Sequence, residues 1–286
     1  MPEQSITTVA LIGFFTLLLL LEQFAPLRRR KNPLLHRLAR NLALTAVVFA
    51  VGSSLVRSAG LSTSEYISGA GFGLTALLPG GGWPHVLVGV LLMDLTFYYW
   101  HRANHEIPLL WRFHNVHHVD PDLDVSTSFR FHFVEIAYSS LFRIVQVAVI
   151  GVAPLTYVIY ELAFTAETMF HHSNVRLPLR LERPLNRLIV TPRMHGIHHS
   201  AVRRETNSNY SVIFPWWDYL HRTLVLNVRQ SAIDIGVPAY QDQQSNRLKK
   251  LLILPFLRQR QYWQSPDGRI PSGNQQARTK PTRLLE

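Results

Sequence analysis

Apolar residues along this chain gather into long blocks separated by basic or polar segments. Ile6–Leu21 is an almost unbroken apolar run without charge. As a helix rising about 1.5 Å per residue it covers about 24 Å, a little under the roughly 30 Å of a hydrocarbon core. No basic residue precedes the run and Arg28-Arg29-Arg30-Lys31 follows it, the reverse of a signal peptide. A retained transmembrane helix with its N-terminus outside is expected. Asn41–Val56 reads as a second span, returning outward. Gly60–Pro84, rich in Gly, Ser and Pro, reads as an outer loop in which Phe72–Leu78 dips toward the membrane. Pro84–Trp100 reads as a third span, going inward. Ala137–Val152 and Leu155–Met169 are apolar arms around Gly151 and Pro154. Proline disfavours helix through the residue before it, so the arms predict a helical hairpin that enters and leaves on one side.

The expected architecture is all-α: a polytopic membrane protein with about four transmembrane helices or hairpin arms and a cytosolic helical cap. Residues 1–100 would hold transmembrane helices. Residues 101–225 would form the histidine-bearing catalytic region, including the membrane hairpin 137–169. Residues 226–286 would form a cytosolic C-terminal segment, with Leu251–Leu257 as a short amphipathic contact and a disordered tail beyond Gln264.

Composition supports the membrane reading. Of 286 residues 47% are hydrophobic and 16% charged, the latter well below the roughly 25% of soluble domains. The formal net charge is +11, with Lys and Arg at 28–31, at Arg37 and Arg40, around Arg176–Arg187 and in the tail. No aromatic-basic module for nucleic acid is visible. The positive-inside rule accounts for the charge, placing segments 28–40, 101–136 and 170–286 on the cytoplasmic side. The chain has no cysteine, which excludes a disulfide framework and a thiolate metal site.

Histidine changes the picture most: 14 copies, 11 of them between His101 and His199. They fall into boxes: His101 and His105; His114, His117 and His118; His195, His198 and His199. Positions i, i+3 and i+4 share a helix face, so each box projects its imidazoles together. Thr191-Pro192 looks like an N-cap and first helical residue just before the third box. Eight histidines, plus one from the pair His171-His172, exceed the three or four protein ligands of a single zinc. They suit two ions, with about four or five nitrogens each, although imidazole serves zinc, copper, iron and nickel alike. A zinc-dependent membrane hydrolase would show fewer ligands and an open position. A non-catalytic membrane metal-binding protein acting as a carrier would place its ligands near the midplane.

At these residues the sequence resembles the fatty acid hydroxylase / sterol desaturase superfamily. The resemblance covers Asp94 to Thr223: Asp94, Tyr99-Trp100-His101-Arg102 and His105, then Trp111, His114 and His117-His118, then Thr127-Ser128-Phe129-Arg130-Phe131-His132. His172-Ser173-Asn174, Thr191-Pro192, His195, His198-His199-Ser200, Asn209-Tyr210 and Trp217-Asp218 complete it. Two departures are Phe133 where members often have proline and an ending that reads Trp217-Asp218-Tyr219-Leu220-His221-Arg222-Thr223. The resemblance implies a membrane helical scaffold whose cytosolic cap holds two irons, for which zinc is a possible substitute. It implies O₂-dependent hydroxylation or desaturation of a lipid: fatty acyl chain, sterol, carotenoid or ether lipid. It implies electrons from a separate cytochrome b5-like or ferredoxin-like donor. The absence of targeting signals suggests a bacterial inner membrane. The first box, with Glu106 after its second histidine, also looks like that of alkylglycerol monooxygenases.

Asp94, Tyr98, His101 and His105 form one helical stripe, and Glu161, Thr165, Thr168 and His172 repeat its offsets. Each acid is expected to orient or balance the site from the base of its stripe. By the family match His172 is the ligand of its pair, and His171 supports it from one turn after Glu167. His132 is either a further ligand or a hydrogen-bonding support. Asn174, Asn207, Asn209 and Asp218 are candidates for orienting the ligands. Phe97, Tyr98, Tyr138 and Tyr160 either line a lipid channel or pack helices. His36, His85 and His221 are expected to be bystanders.

Overall fold

The first apolar run folds as one long helix, α1 (Pro2–Phe24), and residues 6–24 of it leave Ile6 and Val9 each 69% exposed. The computed structural model describes residues 2–50 and 54–273. Helix is the only regular secondary structure among these residues, apart from isolated bridges pairing Pro26 with Val175 and Ser200 with Ile235.

The second expected span is displaced. Helix α2 runs from Leu34 to Val48 and carries Arg37 and Arg40, so it starts in the basic segment; residues 51–53 lie outside the described ones. Helix α3 (Ser54–Ala70) then occupies much of the expected outer loop. It is ordered as helix because it packs on α6 (Phe133–Ile150) and α7 (Pro154–His172), burying Ser64 and Ile67. The Phe72–Leu78 segment contains a short 3-10 turn, Leu74–Leu77, and lies on the α6–α7 corner, where Thr75 Oγ1 donates to the Gly151 carbonyl at 2.6 Å.

Helix α4 (Trp83–Glu106) continues six residues past the expected end at Trp100, so His101 and His105 ride on its last turns. It stops at Ile107, whose extended backbone is what a following proline demands. Pro108 opens α5 (Pro108–His118). The expected hairpin forms as α6 and α7. His132 caps α6, its Nδ1 accepting from the Val134 amide at 3.2 Å. Gly151 ends it at φ +77°, where a side chain would also press 2.6 Å from the Phe72 carbonyl oxygen. Short helices follow: α8 (Leu179–Leu185), α9 (Pro192–His198), α10 (Arg203–Thr206), α11 (Trp216–His221) and α12 (Leu248–Ile253).

Two of the described helices are long and apolar enough to cross a membrane, within Ile6–Phe24 and Phe133–Ile150. The four-span arrangement is therefore not confirmed: α4 and α7 have the length but are too polar overall, with Asp94 on one and Glu161 and Glu167 on the other. Outward-facing Leu141 and Val145 on α6 are 66% and 60% exposed, an apolar face that water would not favour.

Helices α4, α6 and α7 share a core of Met93, Val147, Ile150, Tyr157 and Tyr160. A second core joins Leu44, Trp111, Val116, Leu251 and Leu254. The Leu251–Leu257 segment is amphipathic: Leu251 and Leu254 are buried in this core, while Ile253, Phe256 and Leu257 are 36%, 61% and 40% exposed. Of the expected disordered tail, Ser265–Arg269 forms a turn closed by the Ser265 amide on the Arg269 carbonyl at 2.8 Å, and residues 274–286 lie outside the described ones.

The turn between α5 and α6 is held by charge. Arg37 is fully buried, its Nε donating to Asp124 at 2.9 Å and its Nη1 paired with Asp120 and, at 3.5 Å, Asp122. Arg130, also fully buried, donates to the Val116 carbonyl at 2.9 Å, to Asn41 at 3.1 Å and to Asn246 at 2.9 Å. Burial alone would raise the Asp120 carboxyl, but Arg37, Arg130 and Arg40 outweigh it and hold it below the usual range.

Candidate metal centre

Four helix ends converge beneath this turn: the last turns of α4, α5, α7 and α9. Nine buried histidines meet there in two groups, each with its ligand atoms within 4.8 Å of one another. His101, His105, His114, His118 and His198 form one; His117, His172, His195 and His199 form the other. The boxes do not map onto the groups one to one. Helix α5 sends His114 and His118, one turn apart, to the first and His117 to the second. Helix α9 sends His198 to the first and His195, with His199 just past its end, to the second. The groups adjoin, the rings of His118 and His199 stacking with centroids 4.3 Å apart.

The hydrogen bonds fix which nitrogen faces inward. A carbonyl oxygen only accepts, so each Nδ1 bonded to one must carry the proton. This applies to His101 on Tyr210 O (2.7 Å), His198 on Ser208 O (2.7 Å), His117 on Arg130 O (3.2 Å) and His172 on Thr168 O (2.7 Å). His114 Nδ1 does the same to the Glu135 carboxylate at 2.7 Å, and His105 Nδ1 lies 3.4 Å from Asn207 Oδ1. A neutral ring then presents an Nε2 lone pair to the interior. His117 and His172 point two such lone pairs at each other across 3.0 Å, an arrangement that needs a cation between or beside them. His195 Nε2 is 2.9 Å from His172 Nε2 and 3.1 Å from His199 Nε2. In the other group Nε2 of His105, His114, His118 and His198 is buried with no partner. The donor set therefore fits metal ions held through nitrogen.

Burial pushes the imidazoles of His101, His105, His117, His118, His195 and His199 well below their ordinary 6.5, and repulsion between neighbouring imidazoliums adds to it. His172 and His198 are brought down to about 3, again by burial. These eight imidazoles thus stay deprotonated and able to ligate across the physiological range.

The remaining candidates sit at varying distance from the imidazoles. Asp218 accepts from the Tyr210 and Ser211 amides, both at 2.9 Å, and from Thr223 Oγ1 at 2.6 Å. Asp94 accepts from the amides of Ile213 (3.3 Å) and Phe214 (3.0 Å) and from Trp217 Nε1 (2.7 Å). Both acids clamp the segment whose Ser208 and Tyr210 carbonyls orient His198 and His101. They act through that segment rather than on the rings. Asn174 exchanges hydrogen bonds with the Arg28 backbone, 2.9 Å each way, and anchors the segment after α1. Glu106 follows His105 about 100° round the helix, faces outward and pairs with Arg102 at 2.8 Å, away from the histidines. Glu161 pairs with Arg143 at 3.3 Å. The His171 ring lies 4.0 Å from that of His195, tilted by 44°, outside both groups, and His132 spends its nitrogens on capping α6 and on the Leu252 carbonyl at 3.0 Å. Glu135 was not singled out from sequence; its signal was the one acid of α6, set in the first turn of a largely apolar helix.

One cavity of about 290 Å³ opens onto the centre, with His101, His114, His117, His172 and His195 in its wall. Its other walls are mostly apolar, Phe97, Trp100, Phe142, Phe164 and Met169 among them. Of the aromatics considered from sequence, Phe97 lines it. Tyr98 bonds Thr223 at 2.9 Å, Tyr138 bonds Asn104 at 2.8 Å, and Tyr160 is core.

Comparison with known proteins agrees with the motifs. The family model described as Fatty acid hydroxylase matches residues 86–223. An ornithine lipid hydroxylase of Rhizobium tropici is 35% identical over 159 residues, 54% of this chain and 47% of that protein. Human cholesterol 25-hydroxylase is 27% identical over 49% of this chain and 51% of its own length. Human alkylglycerol monooxygenase is 29% identical over 49% of this chain and 30% of its own. The matched region thus spans about half the length of these relatives, or less. No solved structure gives a significant match. The residues that the fatty acid hydroxylase family model matches, 86–223, carry all nine histidines of the centre.

Proposed function

We propose that this protein is a membrane-bound, O₂-dependent di-iron lipid oxidase. The observation that carries the reading is the pair of adjoining imidazole groups whose inward lone pairs face one another at the end of a largely apolar cavity. Bound there, two irons would supply the reduction of O₂ and the oxidation of a C–H bond. For hydroxylation the balance is one C–H, O₂, two electrons and two protons giving C–OH and water; desaturation would give an alkene instead. The electrons come from a separate cytochrome b5-like or ferredoxin-like donor.

The chain's own residues position the parts. His101, His105, His114, His118 and His198 would hold one ion, and His117, His172, His195 and His199 the other. Glu135 and the Ser208 and Tyr210 carbonyls keep the proton on Nδ1, so that Nε2 stays free to ligate. Phe97, Trp100 and Phe142 shield the approach from water. By the positive-inside rule the basic segment after α1 supports a cytoplasmic position for the centre, and the membrane we propose is a bacterial inner membrane. A non-catalytic carrier or a zinc hydrolase explains nine converging imidazoles less well than a two-ion redox centre does.

Anaerobic purification followed by metal analysis tests this. About two irons per chain, lost in His117→Ala, with O₂-dependent lipid products from the loaded protein, is the expected result. One zinc or no metal, unchanged in the variant, would sink the reading. If two zincs are found, iron reconstitution must restore O₂ consumption.

A further inference from the structure

Arg143 and Glu161 line the same cavity as the histidines. Both are on the hairpin, Arg143 within the part of α6 apolar enough to cross a membrane. Ionisable groups at such a place are costly and ordinarily serve a site. Arg143 is well held: Nη1 donates to Gln146 Oε1 at 2.6 Å, Nη2 is 3.3 Å from Glu161 Oε1, and the guanidinium lies 5.2–5.6 Å from the ring centroids of Phe97, Tyr160 and Phe164. Glu161 is less so. Its Oε1 is buried without a hydrogen bond in spite of the ion pair. Thr168 Oγ1, also in the cavity wall, is likewise buried without a partner. Glu161, Thr165, Thr168 and His172 follow one stripe of α7, so the pair and the metal centre are about 16 Å apart along the helix, at about 1.5 Å per residue.

We propose that Arg143 and Glu161 form a subsite for the polar end of the substrate, and that they select lipids with a neutral head that both donates and accepts hydrogen bonds, as an alcohol does. Such a group donates a hydrogen bond to the under-bonded Glu161 carboxylate and accepts one from the guanidinium, leaving no charge uncompensated. An anionic head would meet the carboxylate instead, while Arg143 is already committed to it. The chain of the bound lipid then runs along the α7 stripe to the histidines, and the oxidised carbon lies at a set distance from the polar end. This rests on the lipid-oxidase reading for the reaction, but the subsite itself is a matter of binding.

The test is therefore binding without turnover. Tritiated hexadecanol and hexadecanesulfonate, whose head is anionic at every working pH, are compared on the full-length protein by scintillation proximity. Metal content is measured alongside as a control for folding. Wild type should prefer the alcohol at least about tenfold. Glu161→Gln, nearly isosteric, should keep its metal, lose that preference and bind the sulfonate more tightly, because Arg143 is released. Equal binding of the two ligands, binding of neither, or an unchanged ratio in the variant would overturn the subsite. Intact preference with no oxidation would count against the oxidase reading alone.

Discussion

At the residue scale, the centre depends on which nitrogen of each imidazole carries its proton. Among the interactions that fix this, the Glu135 carboxylate on His114 Nδ1 at 2.7 Å is the one made by a charged side chain. It holds the ring's orientation and makes Nε2 a stronger donor. Glu135→Gln keeps the shape but removes the charge and can present an N–H to the ring. Such partners are typically worth 10–100-fold in metal affinity. We expect loss in that range for one ion per chain, with the other ion retained, read by chelator competition. Equal loss of both ions, or of neither, would remove Glu135 from this role. Glu106 supplies the contrast. Its pair with Arg102 is solvent-exposed and worth at most about 1 kcal/mol, so Glu106→Gln should leave metal content and thermal stability close to wild type.

At the element scale, much of the centre was legible because a helix converts spacing into direction. The i, i+3, i+4 boxes placed imidazoles on common faces, and those faces do meet in the fold. The division of α5 and α9 between two groups was not legible, since it depends on how four helix ends are set against one another. Nor was the Arg37 network, whose members come from segments 37–41, 120–130 and 246 and share no sequence pattern. The span boundaries were misread for a related reason: α2 and α3 are held by packing and buried charge, which hydropathy does not record. This network also yields a prediction. Arg37→Met would remove the buried cation shared by Asp120, Asp122 and Asp124, leaving Asp120 to Arg130 and Arg40, a loss of about 3–5 kcal/mol for breaking a buried pair. Because the corner joins the second histidine box to α6, thermal unfolding should move sharply downward and metal loading should fall with it. A melting temperature within experimental error of wild type would show the network to be dispensable.

At the scale of the whole molecule, the buried imidazoles make folding sensitive to acid. An unfolded histidine titrates near 6.5, whereas His172 and His198 titrate near 3 in the folded chain because burial disfavours their charged form. Below 6.5 the unfolded state therefore takes up protons that the folded state refuses. Stability is unaffected above 6.5 and falls as pH drops from there toward 3. Each such imidazole costs up to about 1.4 kcal/mol per pH unit in that window. Other groups titrate too, but differently. Asp120, held below its ordinary 3.8, contributes stability that is lost only under stronger acid. Asp218, Glu182 and Glu205, raised by burial, contribute in the opposite direction, gaining stability as pH falls. Comparing metal-free with iron-loaded protein cancels these common terms, because bound metal stabilises the folded state and competes with protons only at the imidazoles. The metal-free protein should lose thermal stability markedly as pH falls from 6.5 to about 5. The loaded protein should hold its melting temperature until the metal is released, and then fall to the metal-free curve. Parallel pH curves for the two forms would mean that the converging histidines are not the groups that metal protects.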